Sequence, residues 1–545
     1  MSYQYKNFNQ SFESDIWLYF IAALLGSSLT LAFAPFNIWL GLLVSFSGLL
    51  YCLELLSQKA NYSNYGCHSW SSTNSLLPAF SLGYCFGFGH FISALSWVHN
   101  SLTASPEIGE IYGWLKPIVT IIMPGVMGLF TGFVTLGTYI LVMLKRDSTI
   151  VSRRISILLF FVLSWWFWEW VISYLVIPFP WMVLGYASQY SLVLMQNAAL
   201  YSVHGLSFIL LIIATVLYAR SFRYTIIVVL LICFIVSYGQ WRLAGNIESG
   251  IEFELEPNPI TVFNPEQNSN LSQVSNQKKQ IQIILTQPNL KLFESTFANS
   301  ENKNNQIMKT MELSLEGLNK VSSLIQSQNG SLPTLIIWPE SGVRSIISRR
   351  DDLEFVRYLL PENTILLTGA DTYDGVGYYN SMIAIDNSGQ IIRQYDKKIL
   401  APFGEYIPGA SLFSWIHPLV ANEGFKHGKR NQIIDLIFDY NIANNTNRIR
   451  LVPFICYEIA FPFMVESIDC DFIIQITNDI WFGDSIGPYQ HLAIARMRAI
   501  EYGKPLLRVA NTGISAVIDS NGRVLKFLPL NKTGVINLIV DLANN

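Results

Sequence analysis

The chain begins with long apolar segments, and after about residue 280 the apolar segments become short. Seven of the early segments come close to or exceed the roughly 20 residues that a bilayer-spanning helix requires. They are Ile16–Phe33, Phe36–Leu56, Leu76–His99, Ile118–Leu144, Ile155–Ile177, Leu192–Ala219 and Tyr224–Leu243. Because lipid cannot hydrogen-bond an exposed backbone, we expect these segments to be helices. The pattern predicts a transmembrane helical domain over residues 1–243.

From Gln280 onward, apolar runs of strand length alternate with polar turns and two segments of helical pattern, the first of them amphipathic. The predicted strands are Ile281–Leu285, Thr334–Trp338, Thr364–Gly369, Tyr379–Ile385, Ile391–Lys397, Arg450–Ile455 and Phe472–Ile476, and the predicted helices are Ile307–Ser327 and His491–Tyr502. This alternation is typical of an α/β domain, here over residues 280–545. Residues 244–279 are rich in Asn, Gln, Ser and Pro, which predicts a polar linker.

Composition supports two environments, lipid and water. Hydrophobic residues make up 51% of the chain and charged residues 13%, about half the usual charged share. A net charge of −3 argues against a nucleic-acid binder, and six cysteines in 545 residues are too few for a disulfide scaffold.

The distribution of Lys and Arg predicts the orientation in the membrane. The clusters Lys145–Arg154 and Arg220–Arg223 follow the fourth and sixth apolar segments, so the positive-inside rule places them in the cytoplasm. Seven crossings then deliver the second half to the periplasm of a bacterium. The first segment also resembles a signal peptide ending at Ala32-Phe33-Ala34, but its length and the following Pro35 favour an uncleaved helix.

Three predicted strands of the second half end in residues with catalytic potential, where α/β sheets place their chemistry. Cys456 is a candidate nucleophile, Glu340 a candidate general base, and Lys397 a cation that favours a thiolate or stabilises an oxyanion. Each signal alone is weak, because a lone strand-end cysteine is more often a small buried hydrophobe. Glu169, within a tryptophan-rich membrane segment, is either functional or an interior hydrogen-bond acceptor, and the sequence favours neither.

Longer motifs surround these three residues. They are Trp338-Pro339-Glu340, Tyr395-Asp396-Lys397 with Pro402-Phe403-Gly404-Glu405-Tyr406, and Ile455-Cys456-Tyr457-Glu458, with Asn478-Asp479-Ile480-Trp481-Phe482-Gly483 and Asn511-Thr512-Gly513 further on. Together they resemble the Glu-Lys-Cys nitrilase superfamily and, more narrowly, the apolipoprotein N-acyltransferase family of Gram-negative bacteria. The resemblance covers nearly the whole chain, and it implies a nitrilase-like α-β-β-α sandwich for the second half.

The resemblance implies transfer of a fatty acyl chain from a phospholipid, typically phosphatidylethanolamine, to the N-terminal diacylglyceryl-cysteine of an apolipoprotein through a thioester on Cys456. Glu340 and Lys397 would complete the catalytic triad, Glu405 would orient Lys397, and Tyr457 and Glu458 would shape the nucleophile turn. It further implies a monomer in the inner membrane with a periplasmic catalytic domain, and no metal, cofactor or nucleic acid. Arms within Pro408–Arg448 would admit the acyl chains.

One departure and two alternatives accompany this interpretation. Family members usually close with a further membrane helix, whereas the final apolar run, Val535–Val540, predicts a strand and hence a periplasmic C-terminus. A membrane-tethered nitrilase-type amidase, with water as the second nucleophile, is the first alternative. A transporter with an extracytoplasmic sensor domain is the second, but it leaves the three strand-end residues unexplained.

Overall fold

The computed structural model shows two compact units. It describes residues 2–62, 76–145, 150–175, 177–245, 252–255, 279–290, 300–322, 332–347, 353–357, 360–408, 424–429, 433–439, 446–462 and 469–542. The first unit comprises Met1–Asn246, Ala460–Pro462 and Trp481–Glu501. The second comprises Ile247–Ile459, Phe463–Ile480 and Tyr502–Asn545.

The first unit is helical. The α-helices described in its segment Met1–Asn246 are α1 (Ser2–Leu29), α2 (Leu40–Tyr62), α3 (Leu76–Ala94), α4 (Pro106–Tyr112), α5 (Lys116–Lys145), α6 (Ile150–Tyr174), α7 (Leu192–Met195), α8 (Ala198–Ala214), α9 (Val216–Ala219) and α10 (Phe222–Ala244). Within the described residues, six helical stretches are long and apolar enough to cross a membrane, the first of them Leu40–Gln58 and the last Phe222–Ala244. The apolar helical segment Ile16–Ala32 has 17 residues and is shorter than these six stretches. The membrane character of this half is therefore confirmed, while a count of seven crossings stays a prediction.

Helices α3 and α5 pack in close contact because glycines line their interface. A Cβ atom added to Gly83 or Gly87 would overlap the side-chain oxygens of Thr135 and Thr131. Thr131 Oγ1 instead donates to the carbonyl oxygen of Gly83 at 2.8 Å, which ties the two helices together. Small residues and threonines are the usual means by which helices approach closely in lipid.

Glu169 on α6 is buried and serves as a hydrogen-bond acceptor inside this unit. Its Oε2 accepts from the backbone N–H of Leu184 at 2.9 Å, and its Oε1 lies 3.4 Å from His204 Nδ1. These contacts agree with the interpretation of Glu169 as an interior hydrogen-bond acceptor.

The second unit is built around two β-sheets. Its strands are β1 (Glu252–Leu255), β2 (Lys279–Gln287), β3 (Thr334–Ile337), β4 (Val343–Ile347), β5 (Thr364–Tyr373), β6 (Tyr378–Ile385), β7 (Ile391–Asp396), β8 (Ile434–Asp439), β9 (Thr446–Ile455), β10 (Phe472–Thr477), β11 (Leu506–Ala510), β12 (Ser515–Ile518), β13 (Val524–Leu528) and β14 (Gly534–Leu542). One sheet has the order β1-β14-β2-β3-β5-β6-β7, with β4 paired to β5, and the other has the order β13-β12-β11-β10-β9-β8.

The core of this unit lies between the sheets, where Leu335 and Ile337 of β3 share a cluster with Ile474 and Ile476 of β10. Helices α11 (Ser300–Ser322) and α12 (Glu354–Arg357) cover the outer face of the larger sheet, through Met311 among others. The strands predicted from the sequence all coincide with observed strands, and the final run predicted as a strand is β14.

The predicted linker and arms lie mostly outside the described residues. Within the linker range, residues 252–255 form β1, which pairs antiparallel with β14. Four residues of that range are therefore part of a sheet rather than of a linker, because the edge of β14 offers them backbone partners. Of the predicted arms, residues 409–423, 430–432 and 440–445 are among those not described.

Helix α13 (Gly487–Tyr502) departs from the predicted division at residue 280, because all but its last residue belongs to the first unit. Its Gln490 accepts hydrogen bonds from the indole N–H groups of Trp97 at 2.9 Å and Trp181 at 2.8 Å. Arg498 donates to the hydroxyl of Tyr186 at 3.0 Å. Buried polar side chains need such partners, and Gln490 and Arg498 find theirs within the first unit.

Candidate active site

The second unit places Lys397 and Cys456 directly after strands β7 and β9, and Glu340 shortly after the end of β3 at Ile337. The turn that carries Glu340 packs against Gly369 of β5, where an added Cβ atom would lie 2.7 Å from the Glu340 Cα atom. Ser341, the next residue, has a φ of 53°, so the chain turns sharply there. The close approach of the two backbones and the turn at Ser341 thus fix the position of the Glu340 backbone, from which its carboxylate extends.

A buried cluster of polar side chains gathers around Lys397. Its Nζ lies 2.9 Å from Glu405 Oε1 and 3.5 Å from Glu340 Oε1. Asn380 of β6 joins the two acids, because its Nδ2 donates to Glu340 Oε1 at 2.8 Å and to Glu405 Oε1 at 2.7 Å. Lys397 is only 1% exposed, so this cation and its two carboxylates interact with little screening by water.

Backbone donors complete the coordination of both acids. The N–H of Asn478 donates to Glu340 Oε2 at 2.9 Å, and the N–H of Ala401 donates to Glu405 Oε2 at 2.7 Å. Glu405 therefore has both oxygens engaged within its own loop and with Lys397. Glu340 is held from two sides, by Asn380 and Asn478, and cannot easily rotate.

Cys456 starts a short 3₁₀ helix, Cys456–Ala460, and adopts a φ of 51°. A non-glycine residue in this left-handed region is strained by about 1–3 kcal/mol, and such strain is concentrated at functional sites. The carbonyl oxygen of Cys456 accepts from Gln475 Nε2 at 3.3 Å. The strained turn is therefore anchored to the neighbouring strand β10.

Glu458 ties the turn of Cys456 to the segment that carries Lys397. Its Oε2 accepts from the N–H of Ile455 at 2.8 Å, while its Oε1 accepts from the N–H groups of Lys398 and Ile399 and from the hydroxyl of Tyr395. Tyr457 beside it is also buried. One carboxylate thus fixes the relative placement of two of the predicted site segments.

Burial and neighbouring charges set the ionisation of the site. Burial, followed by the charge of Glu340, raises the pKa of Cys456, although Lys397 acts in the opposite direction. Burial also raises the pKa of Glu340, against the effect of Lys397. For Lys397 burial lowers the pKa, but the nearby Glu405 and Glu340 outweigh it and the net shift is upward. The arrangement is a protonated thiol, a carboxyl of increased basicity and a permanent cation.

Several residues of the site were not predicted from the sequence. Asn380 and Gln475 lie inside strands and Asn478 acts through its backbone, so only the strand pairing brings them to the site. The sequence motif that contains Asn478 does not by itself indicate a role for that residue. Within the described ranges, no group of three or more His, Cys, Asp or Glu side chains is arranged to hold a metal ion.

Comparisons with known proteins agree with the two-part organisation. The carbon-nitrogen hydrolase model matches residues 314–544, and the model of the apolipoprotein N-acyltransferase N-terminal domain matches residues 25–216. The apolipoprotein N-acyltransferases of Rhodopseudomonas palustris and Rhizobium meliloti are each 30% identical to this chain, over 95% and 96% of it and 88% and 89% of the relatives. The enzyme of Allorhizobium ampelinum is 29% identical, over 94% of this chain and 88% of its own. This chain therefore belongs to the apolipoprotein N-acyltransferase family.

Proposed function

We propose that this protein transfers a fatty acyl chain from a membrane phospholipid, typically the sn-1 chain of phosphatidylethanolamine, to an apolipoprotein. The acceptor is the α-amino group of the N-terminal diacylglyceryl-cysteine. Membership of the family supports this activity, and the apolar helices of the first unit suit an enzyme whose two substrates are both lipidated. The observation that carries the proposal is the buried cluster of Glu340, Lys397 and Glu405, in which the charges of Glu340 and Lys397 act on the thiol of Cys456.

In the first step the Cys456 sulfur attacks the ester carbonyl carbon of the phospholipid while Glu340 takes the thiol proton. Lys397 stabilises the negative charge that develops on the carbonyl oxygen. The ester C–O bond then breaks, Glu340 returns the proton to the leaving glycerol oxygen, and a lysophospholipid departs. The products are the lysophospholipid and a thioester on Cys456, and Glu340 is again a charged carboxylate.

In the second step the acceptor amine attacks the thioester carbonyl, and Glu340 takes a proton from the amine. The C–S bond breaks, an amide forms, and the thiolate of Cys456 recovers the proton. The raised pKa of the thiol makes it a protonated resting group that depends on Glu340, and the raised pKa of Glu340 makes that carboxylate a better base.

The neighbouring residues have supporting roles in this scheme. Glu405 orients Lys397 through the 2.9 Å contact, which leaves the cation fixed between two acids. Glu458 holds the turn of Cys456 against the Lys397 segment, and Tyr457 packs in the same turn. None of these three needs to exchange a proton with a substrate.

For localisation we propose the bacterial inner membrane, with the second unit in the periplasm and the protein acting as a monomer. The support is the concentration of Lys and Arg in Lys145–Arg154 and Arg220–Arg223, which the positive-inside rule places in the cytoplasm. Alkaline phosphatase fused to the C-terminus is expected to be active, whereas bright fluorescence of green fluorescent protein fused there would contradict this orientation.

The decisive experiment is mass spectrometry of a diacylated model lipoprotein incubated with the full-length protein and phosphatidylethanolamine. We expect the acceptor to gain one fatty acyl mass with wild type and with Cys470→Ala, but not with Cys456→Ala. Cys470 is the matched control because it is also a buried thiol, with a pKa that burial raises to about 11. Acyl transfer by Cys456→Ala would refute the proposal, and ammonia release from an amide without acyl gain would favour a nitrilase-type amidase.

A further inference from the structure

A fully buried ion pair joins the loop that follows β10 to strand β11. Arg508 NH2 lies 2.6 Å from Asp479 Oδ2, and the Arg508 NH1 donates to Gln475 Oε1, also at 2.6 Å. The Nε atom of the same guanidinium donates to the carbonyl oxygen of Ile514 at 3.0 Å. A buried ion pair is often no more stabilising than apolar residues of the same volume. This pair therefore calls for an explanation besides stability.

One end of the pair leads to the nucleophile. Gln475 and Arg508 are register partners on the parallel strands β10 and β11, and Gln475 also faces Phe454 on β9, two residues before Cys456. Because the guanidinium can only donate hydrogen bonds, it fixes Gln475 with the amide oxygen toward Arg508. The amide nitrogen is then directed to the carbonyl oxygen of Cys456, at 3.3 Å. Arg508 thus controls a side-chain donor that ties the strained turn of Cys456 to β10.

The other end leads to the general base. Asp479 Oδ1 accepts from Thr477 Oγ1 at 2.9 Å, which closes the turn around Asn478. The backbone N–H of Asn478 is the group that donates to Glu340 Oε2. Gly513 leaves room for this arrangement, because an added Cβ atom there would overlap the Asp479 carboxylate. The position of the Asn478 N–H therefore depends on Asp479.

We propose that Arg508 and Asp479 are positioning residues that hold Cys456 and Glu340 in register for acyl transfer. Arg508 acts through Gln475, and Asp479 acts through the turn that carries Asn478. This inference rests on the proposed function for its acyl donor, but the state of the Cys456 thiol can be measured without any donor.

Two substitutions separate the geometric role of the pair from its charge. Arg508→Lys keeps the positive charge but loses the fork that reaches Gln475 and Ile514. Asp479→Asn keeps the shape but removes a negative charge that, with burial and Glu340, raises the pKa of Cys456 against the effect of Lys397. Asp541→Asn on β14 is the matched control, because Asp541 is also buried and accepts a hydrogen bond from Gln280.

The experiment uses the full-length protein in detergent and two measurements. The first is the pH dependence of iodoacetamide alkylation at Cys456, followed by peptide mass. The second is the rate of acyl-enzyme formation with phosphatidylethanolamine, followed by intact mass. We expect both site variants to form the acyl-enzyme more slowly, on the order of 100-fold, because small misplacements of reacting groups have effects of that size. Asp479→Asn alone should shift the alkylation profile to lower pH.

Acyl-enzyme formation within threefold of wild type in both variants would overturn the positioning role, and so would an unshifted alkylation profile in folded Asp479→Asn. Rate losses of the same size in Asp541→Asn would show a general effect of buried substitutions and would also overturn it. If Arg508→Lys does not fold, Gln475→Met replaces it and should show the same loss. A wild-type protein that forms no acyl-enzyme refutes the proposed function instead, and the alkylation profile of Asp479→Asn still decides the inference.

Discussion

Replacing Glu340 with glutamine tests the general-base role while the other side chains of the site stay unchanged. The amide cannot accept the thiol proton, and general-base catalysis of this kind contributes about 10²–10⁴-fold. The amide also has one oxygen where the carboxylate has two. Asn380 Nδ2 and the Asn478 N–H approach different oxygens at 2.8 and 2.9 Å, so one of these donors must face an NH₂ group. A buried donor without an acceptor costs about 1–3 kcal/mol.

We therefore expect Glu340→Gln to slow acyl-enzyme formation by at least about 100-fold, which corresponds to about 3 kcal/mol in the activation free energy. The assay is time-resolved intact mass of the protein with phospholipid and no acceptor, in which wild type should accumulate a stable adduct. Thermal unfolding of the same samples controls for the donor left unpaired. A folded Glu340→Gln protein that forms the adduct within tenfold of the wild-type rate would refute the general-base role.

Three further predictions concern the surroundings of the site and the membrane helices. Lys397→Met should abolish acylation and lower the free energy of unfolding by about 3–5 kcal/mol, because the substitution leaves two buried carboxylates without their cation. Burial raises the pKa of Glu458 in the folded protein to about 7, so ionisation of this carboxyl opposes folding. The contribution of Glu458 to the free energy of unfolding is fully present below about pH 4.5 and is lost as the pH rises through 7. Glu458→Gln should remove that pH dependence in thermal unfolding while retaining some acyl transfer. Gly87→Val should lower the unfolding temperature in detergent, whereas Gly137→Ala, whose Cβ atom would meet its nearest neighbour at 3.6 Å, should not.

The sequence was informative where the chemistry lies at the end of an apolar strand. Glu340 and Cys456 each follow a run of buried residues, and a polar residue at such a position is expected at the edge of a sheet. The hairpin of β6 and β7 was equally predictable, because the turn Asp386–Gly389 separates two apolar runs.

The remaining features depend on contacts between residues distant in the chain. Asn380 is an ordinary strand residue until the pairing of β6 with β5 and β7 places it between two acids. Gln475 and Arg508 are polar residues inside apolar strands, and their purpose becomes visible only when β10 and β11 are aligned. Periodicity identifies a strand, but it carries no information about which strand will be its neighbour.

The affiliation of α13 with the first unit has a consequence for biosynthesis. The indole donors of Trp97 and Trp181 precede their acceptor Gln490 by 393 and 309 residues. At a translation rate of about 5–20 residues per second, Gln490 is synthesised roughly 15–80 s after the two tryptophans. A nascent chain therefore inserts its apolar helices before their packing can be completed. Chains that terminate before Trp481 never acquire the acceptor, and we expect quality-control proteases to remove such fragments from the membrane faster than the full-length protein.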